Sequence, residues 1–354
     1  MLFTTATFWA FFALVIALIH WNGRAIRSID FQNTILCTSS YFFYGYWDWR
    51  FLGLILGVTT HTYLLGRLSF NSPKYRGIYL SISIFLNMLI LGYFKYFNFF
   101  ASEFVASFGF GGEDLFGKVI LPVGISFYIF QSLTYVIDIY LGKLHPEKKF
   151  LNYCTYIAFF PQLVAGPIER ASSLLPQFRS LKSINLENFY TGLKICIIGL
   201  FLKVFIADNV GDSVDAIFFE YEQFNGGTLF LGAIYFTIQI YGDFCGYSLI
   251  AIGVAKIMGF NLMRNFDSPY FSTSIQDFWR RWHISLSTFF RDYIYIPLGG
   301  NRVSSIAVNR NLVTTFFLSG LWHGANWTFM FWGFLHGILL ICQKTIQFNI
   351  NKFA

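Results

Sequence analysis

A histidine stands where hydrocarbon would ordinarily exclude it. The string Ser319-Gly320-Leu321-Trp322-His323-Gly324-Ala325-Asn326-Trp327 interrupts a long apolar run with polar side chains. On one continuous helix, Ser319, His323 and Asn326 stand at i−4, i and i+3 and share a face. Counted from residue 312, His323 lies about 16 Å up that helix, near mid-bilayer, at 1.5 Å per residue. Polar groups at such depth are costly and point to function. An imidazole takes up and returns a proton near neutral pH, the work of a general base. The spacing fits a core histidine bonded to a neighbouring carbonyl equally well. His336 is thirteen residues on and well round such a helix, nearer the outer interface, and reads as a packing residue.

Other polar groups are spread along the chain. His283 follows Arg280, Arg281 and Trp282. It reads either as a group beside arginines that can hold phosphate or as a snorkelling interfacial side chain. Asp243 lies mid-span within Tyr241-Gly242-Asp243-Phe244-Cys245-Gly246-Tyr247-Ser248. A carboxylate there costs about 2.5–3.5 kcal/mol on insertion and has to face water or a partner, and function and structural pairing with an arginine fit it equally. Pro297-Leu298-Gly299-Gly300-Asn301-Arg302 is a turn whose amides and Arg302 could meet an anion. Glu169 and Arg170 follow Gly166-Pro167-Ile168 and are expected to pair at the interface.

The elements that position these groups belong to a membrane protein. Of 354 residues, 55% are hydrophobic, 21% aromatic and only 12% charged, with a net charge of +7. Soluble domains carry about 25% charged residues, so a water-soluble fold is excluded. The basic residues fall between apolar runs, as juxtamembrane charges do, and do not mark a nucleic-acid surface. Five scattered cysteines show no CxxC pair or metal-ligand spacing.

Eight spans are expected, at 3–20, 31–49, 51–65 (short), 78–100, 119–139, 188–208, 228–256 and 312–340. Loops 21–30, 66–77, 140–150 and 257–311 are basic, whereas 101–118 (Glu103, Glu113, Asp114) and 209–227 are acidic. The positive-inside rule then places the basic loops in the cytoplasm and the N-terminus outside. Residues 150–168 are apolar but broken by Pro161, Gly166 and Pro167, with both flanks on one side, and read as a re-entrant hairpin lining a pocket. In 275–291, Ile275, Phe278, Trp279, Trp282, Leu286, Phe289 and Phe290 form one helical face. Ser274 and Asp277 make a capping box at its start, and the pattern predicts an amphipathic helix at the cytoplasmic interface. No repeat or linker divides the chain, so residues 1–354 read as one domain.

Five strings in order resemble the motifs of the membrane-bound O-acyltransferase family. They are Phe160-Pro161-Gln162-Leu163-Val164-Ala165-Gly166-Pro167-Ile168-Glu169-Arg170; Tyr241 to Ser248; Asp277-Phe278-Trp279-Arg280-Arg281-Trp282-His283-Ile284-Ser285-Leu286-Ser287; Tyr295-Ile296-Pro297-Leu298-Gly299-Gly300-Asn301-Arg302; and Leu318 to Trp327. The branch resembled is that of the alginate O-acetylase membrane subunits, relatives of the D-alanyl transferases of teichoic acids.

The resemblance implies an all-α polytopic membrane fold, a ring of tilted helices with re-entrant and amphipathic pieces around a tunnel. It implies an O-acyltransferase in the bacterial cytoplasmic membrane, taking acetyl from acetyl-CoA without a bound cofactor. The acetyl passes to an extracytoplasmic polysaccharide, through a separate extracytoplasmic acetyltransferase partner. His323 matches the family's essential histidine and His283 its second polar position. Arg280, Arg281 and Arg302 are candidates for the nucleotide phosphates, and Asn326 or Trp327 for the oxyanion or the ring of His323. Ser319 and Asp243 complete the expected substrate-binding set. Leu249 departs from the motif, which has an aspartate there. The chain also stops 14 residues beyond 312–340, where this branch continues, so its last helices are expected to be missing. A non-catalytic membrane scaffold and D-alanyl transfer are the competing readings.

Overall fold

The computed structural model describes residues 1–108 and 117–353, so the expected acidic Glu113 and Asp114 lie outside the described residues. Among those residues every regular element is helical. α1 (Ala6–Trp21) and α2 (Ile29–Gly45) each begin on a hydroxyl cap, Thr5 and Ser28 accepting from the amides of Phe8 and Phe31. α3 (Leu52–Asn71) is followed by α4 (Arg76–Leu91), which runs through a π-turn (Gly92–Tyr96) into α5 (Phe97–Phe108). Next come α6 (Ile125–Tyr140) and α7 (Phe150–Ala158). α8 (Leu186–Leu200) continues through a second π-segment into α9 (Asn209–Phe219), and α10 (Gly226–Ile257) follows. α11 (Ile275–Arg281), α12 (Ile284–Phe290), α13 (Ser305–His323) and α14 (Trp327–Phe353) complete the order.

Among the described residues, six helical stretches are long and apolar enough to cross a bilayer, making this a multi-pass membrane protein: Ala6–Ile26, Trp49–Asn71, Pro73–Val105, Leu186–Phe219, Gly226–Ile257 and Trp327–Ile346. The third expected span is not short. Its polar run Thr59 to Thr62 ends the hydropathy signal, but Thr59 and Thr62 donate their hydroxyls back to the carbonyls of Ile55 and Val58, so the helix continues.

The centre of the fold is polar in places and irregular. α6 is buried along almost its whole length, and residues 152–163 are all buried. The helix breaks at Phe159, and Pro161 opens the single turn that follows. The backbone groups freed there, and the side chains around them, find protein partners. Gln131 donates to the carbonyl of Tyr156 (2.7 Å), Gln162 donates to Gln131 (2.7 Å), and the Phe160 amide donates to Ser40 Oγ (3.1 Å). Broken backbone survives at membrane depth only when protein satisfies it in this way.

Two expected elements are corrected. The amphipathic helix over 275–291 is two short helices, α11 and α12, with a break at Trp282-His283. Its apolar face (Trp279, Trp282, Leu286, Phe289, Phe290) packs inside the protein, not against an interface. The Ser274 cap is present, with its Oγ accepting from the Asp277 amide at 3.1 Å.

The single span 312–340 is an antiparallel hairpin of α13 and α14, turning at Gly324-Ala325-Asn326. Glycines allow the two helices to touch. A Cβ on Gly320 would sit 2.2 Å from the Phe329 carbonyl oxygen, and one on Gly333 would sit 2.3 Å from that of Phe316. The hairpin places His323 at a helix end and brings His336 back toward it, so His323 and Asn326 do not share a helical face.

Gly333→Val is therefore expected to prise the hairpin apart, at about 1–3 kcal/mol, the usual cost of overpacking. The thermal midpoint of detergent-purified protein should fall clearly, while Gly53→Ala, with nothing within 4 Å of its added Cβ, should leave it unchanged.

Candidate active site

The break between α11 and α12 creates the site. His283 caps α12 with φ 42° and ψ 57°, a left-handed conformation that histidine adopts more readily than most side chains. Asn265 holds the turn from outside. Its carbonyl accepts the Ile284 amide (2.8 Å), and its side-chain oxygen accepts from Ser285 Oγ (2.7 Å) and, more weakly, from the Ser285 amide (3.3 Å). His283 is thus 1% exposed and does not snorkel. Phe244 meets its ring edge-on at 4.6 Å, and Trp322 lies 5.7 Å away.

The hairpin tip supplies the second imidazole. The rings of His323 and His283 stand 6.5 Å apart, centroid to centroid. His323 packs between Trp322 (4.9 Å) and Trp332 (5.1 Å), and Trp332 leads on to His336 (4.7 Å). Both ring nitrogens of His283 are buried without a protein hydrogen-bond partner, as are the indole nitrogens of Trp322 and Trp279. An unpartnered buried polar atom costs about 1–3 kcal/mol. Several in one place mark a site built for something other than its own packing.

A cavity of about 850 Å³ is lined by residues neighbouring the pair in sequence, Ile284 and Ser319 among them, while neither imidazole is in its lining. Trp279 and Ile284 of the broken segment form one wall, and Thr315, Phe316 and Ser319 of α13 another. Arg280, Arg291 and Lys344 also line it. It combines an apolar interior with a few cationic and amide groups, the usual make-up of a small-molecule site.

The remaining expected residues are dispersed. Arg281 is paired with Asp277 (2.9 Å), and Arg302 is exposed on the turn outside the cavity lining. Asp243 forms an ion pair with Lys203 (2.6 Å), which also holds Asp208; its neighbour Phe244 is the residue that reaches His283. Asn326 caps α14, its Oδ1 accepting the Thr328 amide at 2.9 Å. Trp327 is 61% exposed and packs on Phe99.

Glu169 and Arg170 do not pair with each other. Arg170 pairs with Asp292, and Glu169 is buried, accepting the Met263 amide at 2.5 Å on Oε1 with Oε2 unpartnered. Sequence reasoning missed Trp322 as the wall shared by both histidines. It also missed Lys95, which donates to the Trp322 carbonyl. A lysine within 78–100 was itself the signal, since a charge at membrane depth points to function.

Comparison with known proteins bears on this geometry. A family profile described as membrane-bound O-acyltransferase matches residues 147–354, which hold both histidines and the cavity. A probable alginate O-acetylase of Azotobacter vinelandii is 41% identical over 90% of this chain and 64% of its own length. Another, of Pseudomonas syringae pv. tomato, is 40% identical over 100% of this chain and 68% of its own. A peptidoglycan O-acetyltransferase of Helicobacter pylori is 37% identical over 91% and 66%. The chain thus spans about two thirds of the length of these relatives.

Burial pushes the Glu169 carboxyl up to about 7 from the ordinary 4.5, with the Met263 amide opposing the rise. A raised carboxyl contributes its stability fully below its unfolded value and loses it as pH climbs through the folded one. The thermal midpoint of the protein should therefore fall as pH rises from about 4.5 to about 7, and Glu169→Gln should flatten that slope. An unchanged slope in the variant would remove Glu169 as its source.

Proposed function

The chain belongs to the membrane-bound O-acyltransferase family, and from that premise we propose that it moves an acetyl group from a cytoplasmic thioester, acetyl-CoA, for O-acetylation of an extracytoplasmic polysaccharide. The observation that carries the reading is the meeting of His323 and His283 on separate segments, whose neighbours in sequence line a cavity that also has cationic groups in its lining. The names of the relatives, which acetylate alginate or peptidoglycan, favour acetyl among acyl groups.

In this reading the cavity receives the donor. Arg280, Arg291 and Lys344 hold its phosphates by charge-assisted hydrogen bonds, and the apolar walls at Trp279 and Phe316 take the thioester end toward the histidines. His323 removes the proton of the acceptor hydroxyl as its oxygen attacks the thioester carbonyl. The tetrahedral intermediate collapses, the carbon–sulfur bond breaks, and the thiolate takes the proton back from the imidazolium. His283, buried and unbonded, is placed to stabilise charge in the developing intermediate.

The positive-inside rule supports basic loops in the cytoplasm and the N-terminus outside. The α13–α14 hairpin then opens toward the cytoplasm, with its tip, and His323, directed to the acceptor side. A separate extracytoplasmic acetyltransferase completes the transfer to sugar.

Expression in cells lacking their own family member, with that partner supplied, should add ester-linked acetate to the surface polysaccharide. His323→Ala at matched membrane levels should lower it by about 10²–10⁴-fold, the usual worth of a general base. Equal acetate from parent and variant would overturn the role of His323. Ester-linked D-alanine in place of acetate would support D-alanyl transfer, and no ester from either protein would support the scaffold.

Arg280→Ala with Arg291→Ala should raise KM for acetyl-CoA with kcat nearly unchanged, because phosphate contacts are made equally in ground and transition states.

A further inference from the structure

At the end of α13 the carbonyls that close a helix lose their intrahelical partners. Two of these are served from one place. Tyr96 donates its hydroxyl to the Leu321 carbonyl at 2.7 Å, and the Lys95 ammonium donates to the Trp322 carbonyl. These donors are consecutive residues, and they reach consecutive carbonyls. A regular α-helix turns adjacent side chains about 100° apart. The π-turn at Gly92–Tyr96, a distortion that recurs at functional sites, is what aims both at one target.

The ammonium makes two further contacts. It donates to Ser126 Oγ at 3.1 Å, at the start of the buried α6. It also sits 5.2 Å from the centroid of the Trp322 ring, within the range of a cation–π interaction. One charge therefore fixes both the carbonyl and the ring of Trp322. That ring packs against His323 at 4.9 Å and faces His283 at 5.7 Å. A cation at a helix C-terminus also matches the negative end of the helix dipole.

We propose that Lys95 and Tyr96 are positioning residues, clamping the C-terminal turn of α13 so that Trp322 holds His323 at its working separation from His283. The proposal rests on the reading of His323 as the base, and it adds residues that lie more than 220 positions earlier in the chain. The clamp acts through Trp322 and touches no substrate. Its loss lets the hairpin tip drift, and a displacement of about 1 Å at a reacting group can cost about 100-fold in rate.

The test measures acetyl transfer from labelled acetyl-CoA in membrane vesicles. It compares the parent, His323→Ala, Lys95→Met, Lys95→Arg and Tyr96→Phe at matched protein levels. Lys95→Met should lower kcat about 100-fold with KM for acetyl-CoA nearly unchanged. Lys95→Arg, which keeps a charged donor, should recover most of the loss, and Tyr96→Phe should fall between. Carbethoxylation of His323 by diethyl pyrocarbonate, followed by mass spectrometry, reads the position of the imidazole without turnover. Its rate should change in Lys95→Met and return toward the parent in Lys95→Arg.

A parent without transfer activity would sink the acyltransferase reading, and the labelling would still judge the clamp. An active, His323-dependent parent whose Lys95→Met variant keeps both kcat and labelling rate would overturn the clamp alone. Should Lys95→Met not accumulate in membranes, Lys95→Arg and Tyr96→Phe decide it. Parental kcat and labelling in Tyr96→Phe would count against the proposal, and loss of both there would support it.

Discussion

Hydrocarbon offers no hydrogen bonds, and that scarcity governs the molecule. Every carbonyl freed by a helix break, and every charge carried into the fold, has to find its partner within the protein. The irregular centre meets this demand with Gln131, Ser40 and Asn265, each tied to a backbone group of another segment, and with Gln162 bonded to the Gln131 side chain. The breaks at Phe159, His283 and Gly324 are tolerated because such partners surround them. His283 is not served in this way. His283 is surrounded by Phe244 and Trp322, rings that cannot satisfy its nitrogens. Both nitrogens of that imidazole, with the indole nitrogens of Trp279 and Trp322 close by, are left without a protein partner, and this cluster supports the proposed site.

Much of this was legible in the residues themselves. Low charge and long apolar runs established a polytopic helical membrane protein, and Pro161, Gly166 and Pro167 marked the buried broken segment. What stayed hidden had definite physical reasons. The apolar period over 275–291 runs unbroken through Trp282-His283, although Trp282 is extended and His283 left-handed. A hydrophobic pattern therefore carried no trace of the turn that buries His283. The hairpin was hidden for the opposite reason. Gly324-Ala325-Asn326 is too short and too apolar to interrupt a hydropathy window, although it reverses the chain.

Pairing partners were the least legible feature. Glu169 and Arg170 are adjacent in sequence, yet one faces the Met263 amide and the other Asp292. Asp243 meets Lys203, not an arginine. Adjacent side chains point in different directions, and partners in a bundle come from helices distant in sequence. The order of family motifs added what spacing could not, namely the expectation that His283 and His323 belong to one site. The structure gives the distance between them and the wall they share.

The assembly order of the centre follows from where its parts lie along the chain. α4, α6, α11 and α12 are all synthesised before the hairpin that carries His323. At a usual elongation rate of about 5–20 residues per second, His283 waits seconds for its counterpart after leaving the ribosome. Through that interval Trp322, the wall the two imidazoles share, is missing, and a ribosome stalled before residue 323 leaves His283 without its partner imidazole. The pair thus forms in one step, when the two glycine-lined helices close on each other.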